Sequence, residues 1–118
     1  MSIQHELRVL TRSKELILKI YKFCEQLPEK EKFGLWSQIT RASVSIASNI
    51  AEGQQRTDKE FVHFLRIARG SIKELEIQLY ICKEYYKIES PEIFELLDIL
   101  GGMTYRLMQK AQADSPHG

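Results

Sequence analysis

The chain has 118 residues, of which 43% are hydrophobic and 28% are charged, a composition that fits one globular domain and excludes a largely disordered protein. The 17 basic and 16 acidic residues give a net charge of +1, so total charge favours neither a nucleic-acid partner nor a membrane partner. No stretch has the roughly 20 apolar residues of a membrane span, and residues 1–12 lack the apolar region of a signal peptide, so we expect a cytoplasmic protein.

Apolar residues recur at three- and four-residue steps along most of the chain, which is the spacing of amphipathic helices. The first predicted helix ends before Pro28, and its apolar stripe consists of Val9, Leu16, Ile20, Phe23 and Leu27. Cys24 widens the same stripe, and Cys82 lies on the stripe of the third helix. We therefore expect both cysteines to be reduced residues of the core.

The second predicted helix, from about Glu31 to Gln54, is unusual because residues 42–51 (ASVSIASNIA) are almost all small or apolar. We interpret it as packed on several sides, by its own bundle and by another subunit, with a candidate interface at Ser43, Ala47, Ser48 and Ala51. The alternative is a helix that is simply central in one bundle. Asn49 and Glu52 near its end either make helix–helix hydrogen bonds that fix the register or line an opening between subunits.

Two capping patterns mark the starts of the remaining helices. Thr57 and Glu60 have the Thr-x-x-Glu spacing of a capping box and begin the third helix, whose apolar residues alternate in steps of four and three. Ser90 as N-cap and Pro91 at the first helical position begin the fourth helix.

The glycine pair Gly101-Gly102 interrupts the fourth helix, and there we expect either a close helix crossing or a local bend. Residues 1–113 should form one domain and residues 114–118 a disordered tail. No segment alternates polar and apolar residues as a strand does. Four helices with short connections predict an all-α, antiparallel, up-down-up-down four-helix bundle.

Basic residues concentrate on one surface arc of the third helix. Residues 54–73 contain 5 basic and 2 acidic residues, whereas residues 74–100 contain 2 and 7. Cations at three- and four-residue steps can bind phosphates, so the candidate nucleic-acid site is Arg56, Lys59, His63, Arg66, Arg69 and Lys73. The alternative is a solvent-exposed face whose positive charge is balanced by the neighbouring acidic segment.

Residues suited to catalysis or metal binding are few. Glu60 and His63 have the Glu-x-x-His spacing of di-iron bundles, but such a site needs two pairs and further carboxylates. The serines of the second helix have no histidine nearby in sequence and lie in no Gly-x-Ser-x-Gly motif. We expect a protein without enzymatic activity, metal, cofactor, small-molecule substrate or membrane partner.

Two segments, residues 38–53 (QITRASVSIASNIAEG) and residues 60–79 (EFVHFLRIARGSIKELEIQL), carry a resemblance to a known family. The chain resembles the four-helix-bundle proteins encoded in intervening sequences of bacterial 23S ribosomal RNA genes. This resemblance implies an antiparallel bundle that assembles as a homopentameric ring and has no known enzymatic activity. A related group of proteins acts as accessory factors of diversity-generating retroelements, in which a basic pentamer associates with reverse transcriptase and nucleic acid. By this resemblance, the candidate nucleic-acid contacts in this chain are Arg41, Arg56, Arg66 and Arg69.

The resulting hypothesis is a non-catalytic oligomeric scaffold or adaptor that binds RNA, or an RNA-bound protein, through its basic face. The alternative is a purely structural or protein-partner module without affinity for nucleic acid. A metal-binding bundle that uses Glu60 and His63 is the third hypothesis.

Overall fold

The computed structural model describes residues 3–115 and consists of α-helices joined by short connections. Within that range there are four: α1 (Ile3–Cys24), α2 (Leu35–Gln54), α3 (Asp58–Tyr86) and α4 (Pro91–Asp114), with a 3₁₀ turn at Glu29–Glu31. The described residues contain no strand. They form a four-helix bundle of 49 × 23 × 19 Å, so the predicted all-α class is confirmed. Each helix in this part of the chain is too short or too polar to cross a membrane.

One continuous apolar core runs the length of the bundle. Helix α1 packs against α2 and α4, and α3 packs against the same two helices. The largest fully buried side chains come from all four helices and include Leu16, Ile20, Ile39, Ile46, Ile50, Leu65, Leu75, Leu79, Leu97 and Leu100. These residues occupy the stripes that the helical spacing predicted.

Cys24 and Cys82 lie in this core with free thiols, which confirms their predicted location. Burial disfavours the charged thiolate. It raises the pKa of Cys24 to about 12 and that of Cys82 to about 11. Both thiols therefore stay protonated under ordinary conditions.

The predicted caps are confirmed at the starts of α3 and α4. Thr57 Oγ1 accepts a hydrogen bond from the Glu60 N–H at 3.3 Å, and Glu60 Oε1 accepts one from the Thr57 N–H at 3.4 Å. Ser90 Oγ accepts from the Ile93 N–H at 3.3 Å. These side chains satisfy backbone donors that have no partner within the helix itself.

Helix α2 begins at Leu35, four residues later than the apolar pattern indicated. Glu31 belongs instead to the 3₁₀ turn, and its Oε1 accepts the Leu35 N–H at 3.1 Å. Its other carboxylate oxygen accepts a hydrogen bond from the hydroxyl of Tyr86 at the end of α3. One carboxylate thus joins the α1–α2 connection to the start of α2 and the end of α3.

The boundaries of α1 and α4 also differ slightly from those predicted. Helix α1 ends at Cys24, and a turn leads from it to Pro28. Helix α4 extends to Asp114, one residue into the segment predicted as tail, while residues 116–118 lie outside the described part of the chain.

Of the two alternatives expected at Gly101 and Gly102, a close helix crossing or a local bend, the close crossing is wrong. A Cβ atom at Gly101 would have no neighbour within 4 Å, and one at Gly102 would meet the flexible guanidinium of Arg106 at 3.2 Å. Helix α4 continues through both glycines. The close approach occurs at Gly53, where a Cβ would lie 2.7 Å from Cδ1 of Phe61 and 2.9 Å from Cβ of Phe64.

Candidate nucleic-acid interface

The basic arc of α3 is formed as the helical spacing predicted. Lys59, His63, Arg66 and Lys73 are exposed, and Arg69 is half-buried. Steps of three and four residues keep these side chains on neighbouring rows of one helix. Their hydrogen bonds and ion pairs nevertheless divide them into two groups.

Arg69 joins α3 to α4. Its Nη1 donates to the carbonyl oxygen of Gly101 at 2.7 Å and to Oγ1 of Thr104 at 3.2 Å. Its guanidinium carbon lies 5.2 Å from the ring centroid of Tyr105, within the range of a cation–π contact. Interactions within the bundle therefore use the Nη1 group of this predicted RNA contact.

Arg56 is neutralised at the α2–α3 connection. It forms an ion pair with Glu52, and its Nη1 lies 3.6 Å from a carboxylate oxygen of Glu60. The hydrogen bond to Glu52 is the main reason that the pKa of Arg56 lies above its ordinary value. Lys73 is also paired, because its Nζ lies 3.4 Å from Oε1 of Glu76.

Lys59 and Arg66 are the cations of the arc that remain available. Both are exposed, and within residues 3–115 neither has a carboxylate partner within 4 Å. His63, between them in sequence, is also exposed, and its ring forms a T-shaped contact with the ring of Phe64, with 5.4 Å between centroids. This part of the arc, Lys59, His63 and Arg66, is called the α3 basic strip below.

Arg41 lies apart from the α3 basic strip. It is exposed on α2 and has no ion-pair partner in the described range. It lies thirteen positions before Gln54, the last residue of α2, which corresponds to about 20 Å along the helix axis. Lys59, in contrast, lies in the first turn of α3, so the fold does not bring these two predicted contacts together.

A second group of basic residues, which sequence analysis did not select, lies between α1 and α4. Arg8, Arg12, Arg106 and Lys110 line a cavity of about 650 Å³ together with apolar side chains of α4. The available signal was the four-residue spacing within each pair. That signal was not sufficient, because it does not show that the two pairs face the same groove.

The four candidate interface residues of α2 separate into buried and accessible positions. Ser43 is fully buried, and its Oγ donates to the carbonyl oxygen of Thr40 at 2.8 Å. Ala47 is also buried, whereas Ala51 is half-buried and Ser48 is exposed. Ser43 and Ala47 therefore pack inside their own bundle, and Ser48 and Ala51 are the positions that a second subunit can reach.

The family described as 23S rRNA-intervening sequence protein matches residues 5–108. The chain belongs to this family. The matched range includes most of α1, all of α2 and α3, and most of α4. A comparison with curated proteins gave no match.

In this member of the 23S rRNA-intervening sequence protein family, Asn49 contributes to helix packing indirectly. Its Nδ2 donates to the carbonyl oxygen of Ser45 at 2.8 Å and contacts Ser45 Oγ at 3.1 Å. Ser45 Oγ in turn lies 2.9 Å from Ser71 Oγ on α3. The direct helix–helix bond considered for Asn49 is thus replaced by a link through Ser45, and Glu52 pairs with Arg56 on the surface.

The Glu60 and His63 pair has the spacing of a metal site but not its surroundings. The Glu60 carboxylate accepts hydrogen bonds from the Thr57 hydroxyl and N–H, which lower its pKa. Within residues 3–115 no three histidine, cysteine, aspartate or glutamate side chains come together in a way that could hold a metal ion. The helix cap accounts for Glu60.

Proposed function

We propose that this protein is a non-catalytic, oligomeric scaffold of the cytoplasm that binds RNA phosphates through the α3 basic strip. The observation that carries the proposal is that Lys59 and Arg66 are exposed and have no carboxylate partner within 4 Å among residues 3–115. A cation that already has a carboxylate partner must give up that ion pair to bind a phosphate, whereas these two do not. Repetition of the strip around an oligomer would multiply the number of phosphates bound.

A non-catalytic role is supported by how the candidate reactive groups are used. Hydroxyl groups in α2 are engaged in helix hydrogen bonds, as at Ser43 and Ser45. The Glu60 carboxylate caps α3. Both cysteine thiols are buried, with raised pKa values. These residues have structural roles that leave no poised nucleophile among them.

The bundle proposed here is antiparallel. Gln54 at the end of α2 donates to the carbonyl oxygen of Glu6 near the start of α1 at 2.6 Å. Lys19 near the end of α1 pairs with Glu92 in the first turn of α4. Contacts that join the end of one helix to the start of its neighbour support up-down-up-down connectivity, as do the short connections.

The proposed assembly is a ring, with five subunits by resemblance to the family. Its interface would be the outer face of α2 and the adjoining edge of α3. Ser48 is exposed there, and Val44 and Ile67 are 37% and 40% exposed. Ile67 precedes Ser71 by one helical turn, which places it on the side of α3 that meets α2. An uncharged strip of this kind can pack against a different face of the next subunit and so close a ring.

RNA binding is tested with the double variant Lys59→Gln/Arg66→Gln and a single-stranded RNA, by fluorescence anisotropy at about 50 mM and about 200 mM salt. The parent should bind more weakly at the higher salt concentration. The double variant should bind at least several-fold more weakly at the lower one and show a smaller salt dependence, because fewer counterions are released.

The matched control is Lys22→Gln/Lys30→Gln, which removes the same charge from the last turn of α1 and the 3₁₀ turn. It should bind RNA as the parent does. Equal weakening in both double variants would show that only total charge matters. Unchanged binding by Lys59→Gln/Arg66→Gln would reject the α3 basic strip, and no RNA binding by the parent would favour the protein-partner module.

The interface is tested by Ser48→Glu, with Thr11→Glu on the exposed face of α1 as control. A carboxylate at Ser48 would be buried between subunits without a partner, so the mass in solution should fall while the helical circular dichroism is kept. The control should retain the parent's mass. A parent-like mass for Ser48→Glu would contradict the interface.

A further inference from the structure

The groove between α1 and α4 is a cavity lined by side chains of both helices. These two helices pack against each other less extensively than the other neighbouring pairs do. The Lys19 and Glu92 ion pair joins them at one end of the bundle, and the groove opens towards the other end, beside the start of α1 and the end of α4. Its volume of about 650 Å³ falls within the range of small-molecule sites.

The rim of the groove is strongly basic. Arg8 and Arg12 lie one turn apart on α1, and Arg106 and Lys110 lie one turn apart on α4. Like charges at this spacing repel each other. Arg12 lies 3.4 Å from a carboxylate oxygen of Glu15, and Lys110 lies 3.4 Å from one of Asp114.

Arg8 and Arg106 are exposed, and neither has a carboxylate within 4 Å in residues 3–115. Two guanidinium groups, one from each helix, therefore remain available for a single anionic group. Guanidinium groups bind phosphate and carboxylate through paired hydrogen bonds, which gives directional recognition as well as charge complementarity.

The floor of the groove is apolar. It is formed on α4 by Ile99, which is 36% exposed, by half-buried Met103 and by buried Leu107. An inorganic anion would gain nothing from this floor, whereas an apolar molecule without charge would leave the guanidinium groups unused. The combination matches a ligand with an anionic head and an apolar body.

We propose that the α1–α4 groove is a binding site for a free amphiphilic organic anion, a phosphate- or carboxylate-headed molecule with an acyl or aryl body. Its head binds between Arg8 and Arg106, and its body lies on Met103 and Leu107. The site shares no residue with the α3 basic strip, so it does not depend on the proposed RNA function.

Decyl phosphate, used below its critical micelle concentration, is a suitable probe. Binding is measured by isothermal titration calorimetry and by NMR of protein labelled with ¹³C in the methionine methyl groups. Met103 lines the groove, whereas Met108 packs against the core and does not line it. The Met103 methyl resonance, assigned with Met103→Leu, should shift on binding, and that of Met108 should not.

The head group is tested with Arg8→Gln/Arg106→Gln, which should weaken decyl phosphate binding about tenfold or more because charge-assisted hydrogen bonds are lost. The control Lys22→Gln/Lys30→Gln, of equal charge, should bind as the parent does. Decanol and inorganic phosphate, each lacking one part of the ligand, should bind at least about tenfold more weakly than decyl phosphate.

Three results would overturn the proposal. The first is parent-like binding of decyl phosphate by Arg8→Gln/Arg106→Gln, and the second is a shift at Met108 without one at Met103. The third is association with phosphatidylglycerol vesicles in the absence of binding to decyl phosphate, which would make the groove a membrane contact. RNA binding by this double variant is measured separately, so failure here leaves the result for Lys59→Gln/Arg66→Gln intact.

Discussion

Replacement of Gly53 by alanine tests the close packing of α2 against α3. The added Cβ would lie 2.7 Å from Cδ1 and 3.3 Å from Cε1 of Phe61, and 2.9 Å from Cβ of Phe64. Favourable carbon–carbon contacts are about 3.5–4.0 Å. The Phe61 ring is 3% exposed and packed in the core. The Cβ of Phe64 is attached to the backbone, so no side-chain rotation can relieve that contact and α3 itself must shift.

Two opposing effects determine the expected stability of Gly53→Ala. Alanine is favoured over glycine within a helix by about 1 kcal/mol, whereas overpacking of a filled interior costs about 1–3 kcal/mol. Because one of the close contacts involves a Cβ atom, we expect the cost to exceed the gain. The free energy of unfolding should fall by about 1–2 kcal/mol.

Gly101→Ala is the matched control, because it makes the same chemical change in a helix where the new Cβ has no neighbour within 4 Å. It should raise the free energy of unfolding by up to about 1 kcal/mol. Urea denaturation followed by circular dichroism, at one protein concentration for all variants, measures both changes. Gly53→Ala as stable as the parent would refute the close approach inferred at this position.

Three further changes test other parts of the fold. The Tyr86 hydrogen bond lowers the pKa of Glu31, because it favours the charged carboxylate. This bond therefore stabilises the folded chain at pH values above the unfolded-state pKa of Glu31, and the stabilisation is lost as pH falls through the folded-state pKa. Tyr86→Phe should therefore lower the urea midpoint at about pH 7 and differ less from the parent at about pH 3. Cys24 and Cys82, with pKa values raised by burial to about 12 and about 11, should resist a thiol reagent at about pH 8 and react once urea unfolds the chain. Lys87 follows the last residue of α3 and has a φ of 61°, a conformation that costs an L-residue about 1–2 kcal/mol. Lys87→Gly should therefore raise the free energy of unfolding by about 1 kcal/mol. A lower free energy of unfolding would show that the lysine side chain contributes more to stability than its backbone strain costs.

Features that depend on local sequence could be predicted well. Thr57 with Glu60 and Ser90 with Pro91 specify helix starts through contacts within four residues, and the apolar spacing identifies the buried face of each helix. The start of α2 could not be predicted in this way. Glu31 accepts hydrogen bonds from Leu35 and from Tyr86, and the bond to Tyr86 depends on where the third helix ends.

The candidate site could be predicted in position but not in detail. The spacing on α3 located the basic arc, yet the pairing of Arg69 with Gly101 and Thr104 depends on the packing of α4. Lys59 and Arg66, which have no carboxylate partner in the described part of the chain, can be identified only after such contacts are known. The α1–α4 groove is even harder to predict from the sequence, because its walls are about 100 residues apart in the chain and meet only in the fold.

The role of each glycine also depends on contacts that the local sequence does not show. Adjacent glycines weaken a helix, so Gly101 and Gly102 favour the prediction of a crossing or a bend there, but the close contact lies at Gly53. A single glycine near a helix end is equally compatible with a cap, a turn or a packing contact. Only the position of Phe61 and Phe64 distinguishes these roles.

Light scattering coupled to size exclusion tests whether this protein is an oligomeric scaffold that binds RNA through charge. The protein is measured alone and with a single-stranded RNA, at low and at high salt. We expect an oligomer at both salt concentrations and an added RNA mass at low salt alone. A monomer would contradict the assembly, and an oligomer whose mass RNA leaves unchanged at low salt would contradict the proposed function.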